Sequence, residues 1–226
     1  MTAGVRLRVW GDYALFSRPE FKAERVTYDV ITPSAARGIL ECIHWRPAIR
    51  WNIDSIRVLR PIRFDSVRRN EVGKKLPYGT ARQAARGSES DLVLFADEER
   101  QQRASLLLRN VAYIIDAHFE LTPEAGPEEN AGKHADMARR RIIRGQCVQQ
   151  PYFGCREFPA FFEPVTPDAQ FDPPMELLGR RDLGWMLHDI DFEKNAAPHF
   201  FRAELVDGVL AVPAVPFGAR GFGPLK

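Results

Sequence analysis

Thr32-Pro-Ser-Ala-Ala-Arg-Gly-Ile-Leu-Glu-Cys-Ile-His-Trp-Arg-Pro47 holds a helix start, a helix body and a helix stop within sixteen residues. Thr32 offers a side-chain oxygen to the orphan N–H groups of a first turn, and Pro33 stands at the first helical position, where a missing N–H costs nothing. Ala36, Ile39, Leu40 and Ile43 recur at helical spacing on one side, while Arg37, Glu41 and His44 fall on an adjacent polar side. Pro47 ends the helix and leaves His44 at its C-terminal border.

Strand patterns flank this helix. Val5, Leu7 and Val9 alternate with Arg6, Arg8 and Trp10, the period of two of a half-buried strand that offers two arginines to its open face. Arg50 to Leu59 reads as a second strand whose phase slips near Ser55, which predicts a bulge. A third short strand is expected around Ile62, and Val111, Tyr113, Ile115, Ala117, Phe119 and Leu121 give the cleanest alternation in the chain. Asn130 to Arg144 reads as a second helix, with Met137, Ile142 and Ile143 as its apolar contacts. Shorter strand candidates are Leu92 to Phe95, Gln149 to Phe153, Phe158 to Phe162, Trp185 to Phe192 and Phe200 to Val206, the last joined by the hairpin signal Asp207-Gly208 to Leu210–Val212. The order strand, helix, three strands, helix, then strands predicts an α+β fold. A ferredoxin-like N-terminal domain is expected over residues 1–146 and a small C-terminal antiparallel β domain over residues 147–226.

The chain has 226 residues, 45% hydrophobic and 27% charged, enough to fold on its own core without staples. Cys42, Cys147 and Cys155 form no Cys-x-x-Cys pair, so neither a disulfide framework nor a structural zinc site is expected, and a reducing cytoplasm is the natural compartment. His188, Asp189 and Asp191 fit a strand end better than a metal-ligand template, and no cofactor is implied. No apolar run reaches the roughly 18 residues of a membrane span, and the first residues do not pattern as a signal peptide.

Net charge is only +2, so affinity for a polyanion depends on placement. Ser66 to Ser90 carries Arg68, Arg69, Lys74, Lys75, Arg82 and Arg86 against Glu71 and Glu89, and reads as a mobile basic loop. Glu120 to Glu129, with Glu124, Glu128 and Glu129 among Pro123, Gly126 and Pro127, reads as a solvated connection. Arg139, Arg140, Arg141 and Arg144 then return the chain to positive charge. Gly218, Gly221 and Gly223 around Arg220 are read either as a phosphate-approaching loop or as a frayed tail.

Three segments together carry a family likeness: Val9-Trp-Gly-Asp-Tyr-Ala-Leu-Phe16, the helix from Thr32 to Pro47, and Gly132-Lys-His134. They resemble the corresponding segments of the Cas five family of CRISPR-associated proteins, subtype I-C (the d variant), from about Val5 to the C-terminus. The resemblance implies a ferredoxin-like domain of the RAMP superfamily, related to the RNA recognition fold, plus a C-terminal β domain. The implied activity is metal-independent cleavage of the CRISPR repeat hairpin at the 3′ base of its stem, with the 5′ handle retained in the type I-C Cascade interference complex beside Cas seven-type backbone and Cas eight-type large subunits. Other members of the wider family only hold the handle, so a non-catalytic scaffold is the alternative, and duplex DNA is a further candidate partner.

The family's catalytic lysine and histidine match Lys133 and His134, and its third position, usually a tyrosine before tryptophan, is here His44 before Trp45. An imidazole near its ordinary pKa of about 6.5 exchanges protons readily at neutral pH, and an ammonium offsets charge on a phosphorane. By themselves the residues favour a helix-end histidine and a solvated helix start, and the family likeness reverses both readings. Arg37, Trp45, Arg46, Arg68, Arg69, Lys74, Lys75, Arg139, Arg140, Arg141 and Arg144 are the candidate RNA contacts.

Overall fold

The helix begins and ends where its sequence signals stand. In the computed structural model, which describes residues 4–21, 24–87, 93–166, 168–191 and 195–214, it is α1 (Pro33–Ile43). The Ala35 N–H donates to the Thr32 hydroxyl at 3.3 Å, closing the first turn. His44 takes an extended conformation and stops the helix, its N–H donating to the Leu40 carbonyl at 2.8 Å. Ala36, Ile39, Leu40 and Ile43 are buried, and full burial of an aliphatic side chain of the Leu or Ile kind contributes about 1.5–3 kcal/mol.

Among the described residues the strands are β1 (Gly4–Ala14), β2 (Arg25–Val26), β3 (Ile49–Val58), β4 (Phe64–Val72), β5 (Arg100–Leu121), β6 (Phe161–Pro164), β7 (Arg180–Asp191), β8 (Ala197–Val206) and β9 (Val209–Ala211). The other helices are α2 (Tyr78–Ala84), α3 (Ala131–Ile143) and a single 3-10 turn at Met175–Leu177. One sheet runs in the order β6-β1-β5-β3-β9-β8-β7, with β2 and β4 paired to the first half of β5. Every pairing is antiparallel except that of β2 with β5. The fold is therefore α+β, a large antiparallel sheet with few helices. α1 packs on β3 and β7, and α3 on β1 and β6.

β5 passes through two environments. Val111 to Ile115, Ala117 and Phe119 are buried in the sheet's core, whereas the half from Arg100 to Leu108 forms a two-stranded ribbon with β4, in register from Phe64 opposite Leu108 to Val72 opposite Arg100. The expected bulge in β3 is present, as a register shift between Ile53 and Ser55. The Asp207-Gly208 hairpin is present too, joining β8 to β9 with both residues at positive φ.

Several expectations need correction. The basic stretch begins not as a loop but as β4, because a ladder with β5 satisfies backbone groups that its polar side chains leave unconstrained. Ile62 lies in the link between β3 and β4, and Val93 to Phe95 form no strand, Leu92 being outside the described residues. Gln149 to Phe153 is irregular: Phe153 is a buried plug whose N–H donates to the Phe158 carbonyl at 2.8 Å and whose carbonyl accepts from the Leu15 N–H at 3.1 Å. Gly154 follows at φ +79°, and a Cβ there would sit 1.9 Å from the Leu15 carbonyl oxygen, so the crossing requires glycine. Beyond residue 146, β6 returns to pair with β1 and β9 joins β3. Arg6 and Arg8 are not open either, being paired with Asp116 and Glu163 at 2.6 Å each. The glycines from Gly218 to Gly223 lie outside the described residues. No described helix is long and apolar enough to cross a membrane.

Candidate active site between the end of α1 and the start of α3

The start of α3 is set by Asn130, whose side-chain oxygen accepts the Lys133 N–H at 2.8 Å. Ala135, Ala138 and Ile142 bury one face of the helix, which turns His134 inward at 2% exposure and leaves the adjacent Lys133 side chain 49% exposed. The end of α1 is held from two sides. Trp51 Nε1 donates to the His44 carbonyl at 2.8 Å, and Arg141 donates to the Ile43 carbonyl at 2.7 Å, so orphan carbonyls of the last turn find partners. His44, at 0% exposure, is thereby fixed against α3.

The two imidazoles meet. His44 Nε2 lies 3.2 Å from His134 Nδ1, with ring centroids 5.5 Å apart, and the edge of Phe119 closes the other side of His134 at 6.3 Å. His134 Nε2 is 2.7 Å from Glu129 Oε2, and the same oxygen is 3.4 Å from Lys133 Nζ. A proton on His134 Nε2, facing the carboxylate, makes Nδ1 the acceptor of a His44 Nε2–H bond. His44 Nδ1 is then a buried lone pair, and it has no hydrogen-bond partner.

Burial pushes His44 down to about 4, with the positive charge of Arg141 and the neighbouring His134 and Arg46 adding to it and Glu129 opposing. An ordinary imidazole near 6.5 is therefore not what this position provides; His44 is neutral at pH 7. Burial pulls the Glu129 carboxyl upward, but the hydrogen bond and charge of Lys133, with His134, outweigh it and hold Glu129 below the usual carboxylate range.

The fold thus joins His44, Lys133 and His134 from two distant segments, with half-buried Trp45 and exposed Arg46 beside them in the chain. Arg139, Arg140 and Arg144 are exposed along α3, whereas Arg141 is committed to α1. Arg68, Arg69, Lys74 and Lys75 belong to the ribbon and its tip; Arg69 pairs with Glu157 and lies over the Phe158 ring at 5.9 Å, and Lys74 pairs with Glu99. Arg37 is not a surface contact. It is buried, bidentate to Asp189 with Nη2 2.9 Å from Oδ1, and 3.4 Å from Glu41, because β7 covers the face of α1 that a lone helix would leave to solvent.

A cleft of about 220 Å³, lined by neither His44 nor His134, lies around the first half of α1 and the edge of β3, where His118 contacts Asp54 at 2.7 Å. The histidine pair is instead a closed contact. Sequence reading assigned Glu129 to the solvated connection and missed its place here; its spacing four residues before Lys133, next to a helix cap, is the signal that marks it.

Residues 4–213 match the family described as CRISPR-associated protein (Cas_Cas5), under the name Cas_Cas5d. The chain is 56% identical over 226 residues to a protein of Mannheimia succiniciproducens named CRISPR pre-crRNA endoribonuclease Cas5d, covering 97% of this chain and 98% of that one. It is 40% identical over 232 residues to a protein of the same name from Thermus thermophilus, covering 94% and 92%. A solved structure described as a CRISPR-associated protein superposes with a TM-score of 0.68 at 20% identity, covering 93% of this chain and 92% of that one, a likeness of fold. On the family match and these two relatives, the chain belongs to the Cas5d family of CRISPR-associated proteins.

Proposed function

We propose that this protein is a metal-independent endoribonuclease that cuts CRISPR repeat hairpins in precursor crRNA and keeps the 5′ handle as a subunit of a type I-C interference complex, beside Cas seven-type and Cas eight-type subunits. Two relatives carry the name of a pre-crRNA endoribonuclease, which supports the substrate class. The observation that carries the chemistry is the 3.2 Å contact between His44 and His134 beside Lys133, which joins the residues of two segments 90 positions apart.

The 2′-hydroxyl gives its proton to solvent as the 2′-oxygen bonds to phosphorus and the bond to the 5′-oxygen breaks, and Lys133 offsets the phosphorane charge. His134 gives its Nε2 proton to the leaving 5′-oxygen, and the product ends in a 2′,3′-cyclic phosphate. His44, closed off from solvent, acts through His134 by fixing its tautomer and orientation. Exposed Arg139, Arg140 and Arg144, with Arg46 and the ribbon residues Arg68, Arg69, Lys74 and Lys75, form the phosphate-binding surface. The strand order β6-β1-β5-β3 with α1 and α3 supports the ferredoxin-like reading of the N-terminal unit, and β7 to β9 then form the smaller β unit.

Purified protein is expected to cut its repeat RNA in EDTA and leave the cyclic phosphate; strict dependence on magnesium would reject this chemistry. A second reading, a subunit that only holds the handle, is favoured by the burial of both imidazoles in the RNA-free chain. It predicts tight binding with no cleavage in the same assay.

A further inference from the structure

His134 has two ring nitrogens, and both face a partner. Nδ1 faces His44, which is fully buried, and Nε2 faces Glu129, whose side chain keeps 29% exposure. Anything arriving from solvent therefore reaches His134 on the Nε2 side, through the space the Glu129 carboxylate fills. That one oxygen, Oε2, touches both His134 Nε2 and Lys133 Nζ, at 2.7 and 3.4 Å. It does so at the first turn of α3, where the helix dipole favours an anion. Oε2 and Nε2 are both buried atoms, so an arriving anion reaches this pair of groups only by taking the place of the carboxylate. The Glu129 backbone is tied separately from its side chain, its N–H donating to the Gly126 carbonyl at 3.0 Å.

We propose that Glu129 Oε2 marks the subsite of the scissile phosphodiester, and that Glu129 is an internal anion which RNA displaces on binding. The proposal rests on the reading of Lys133 and His134 as the phosphate-facing pair. A carboxylate and a phosphodiester each carry one negative charge at neutral pH and compete for the same two groups, and a carboxylate left in place repels the phosphate.

The test is binding of repeat RNA carrying 2′-deoxy sugars through the 3′ base of its stem, which cannot be cut. Glu129→Gln is expected to bind about 3- to 10-fold tighter than the parent, the scale of a partly exposed ion pair plus relieved repulsion. The gain is expected to disappear in a Lys133→Ala, His134→Ala background, because the competed-for groups are then absent. Glu129→Asp keeps the charge and is expected to match the parent. Unchanged or weaker binding by Glu129→Gln overturns the proposal, as does an equal gain in the doubly substituted background or an equal gain by Glu129→Asp, which would report a loosened loop. If Lys133→Ala and His134→Ala cut native repeat RNA at the parental rate, the catalytic reading of the pair falls, while binding of the uncuttable RNA still reports on Glu129.

Discussion

His44 stands where the family pattern has tyrosine, and its burial decides what it can do. With its pKa held near 4 by burial and by Arg141, it carries no charge at neutral pH and meets RNA only through His134. In single-turnover assays Lys133→Ala and His134→Ala are expected to lose about 100-fold or more in rate, and His44→Ala about 10-fold, with RNA affinity nearly intact for the two histidine variants. Equal losses for His44→Ala and His134→Ala would instead put both imidazoles on the reacting atoms. The same depressed pKa has a consequence for stability. Between about pH 4 and 6.5 the unfolded chain binds a proton at His44 that the folded chain does not, so stability is full above 6.5 and is lost as pH falls toward 4. His44→Phe is expected to remove on the order of 1–3 kcal/mol of that acid loss. Parallel melting temperatures for parent and variant across pH 4.5 to 6.5 would contradict it.

At the scale of elements, the β4–β5 ribbon turns a charge run into a geometry. Successive residues of β4 alternate between its two faces, so Arg68 and Arg69 point oppositely, and Arg69 is drawn to Glu157 and the Phe158 ring. Arg68 and Lys75 are left as the freer phosphate contacts. Replacing these two with alanine is expected to weaken RNA binding and to flatten the log-log salt slope by about 0.7–0.9 for each phosphate no longer neutralised. An unchanged slope would remove the ribbon from the RNA surface, while an unchanged cleavage plateau at saturating protein would agree with a role in affinity alone.

Across the whole molecule, α1 is clamped between β3 and the C-terminal strand β7, and the clamp has an ionic tie. Arg37 meets Asp189 from 152 residues away, with Glu41 alongside. Burial pushes Glu41 up to about 7, Arg37 opposing and Asp189 adding to the rise, so Asp189 is the anion that matches Arg37 near neutrality. Asp189→Ala leaves a buried guanidinium short of a partner and is expected to cost about 3–5 kcal/mol in urea unfolding, with much of that recovered by adding Arg37→Met. If Asp189→Ala alone changes the midpoint little, the tie does not hold α1 to β7. Because His44 is the cap of this same helix, the tie also positions the site from its far end.

The sequence by itself determined the local pieces: the Thr32 cap and Pro33 start of α1, the bulge near Ser55, the Asp207-Gly208 turn and the Asn130-led start of α3. Each of these is set by hydrogen bonds and dihedrals within a few residues, which is why it is legible without a fold. The tertiary structure decided the rest. Whether Arg37 meets solvent or Asp189, whether Ser66 to Val72 is loop or ladder, and whether Glu129 is a bystander or lies against His134 depend on partners tens of residues away or on how a loop closes. Lys133 and His134 were legible as a pair only through family likeness. Their meeting with His44, and the burial that makes it neutral, exist only once α1 and α3 pack.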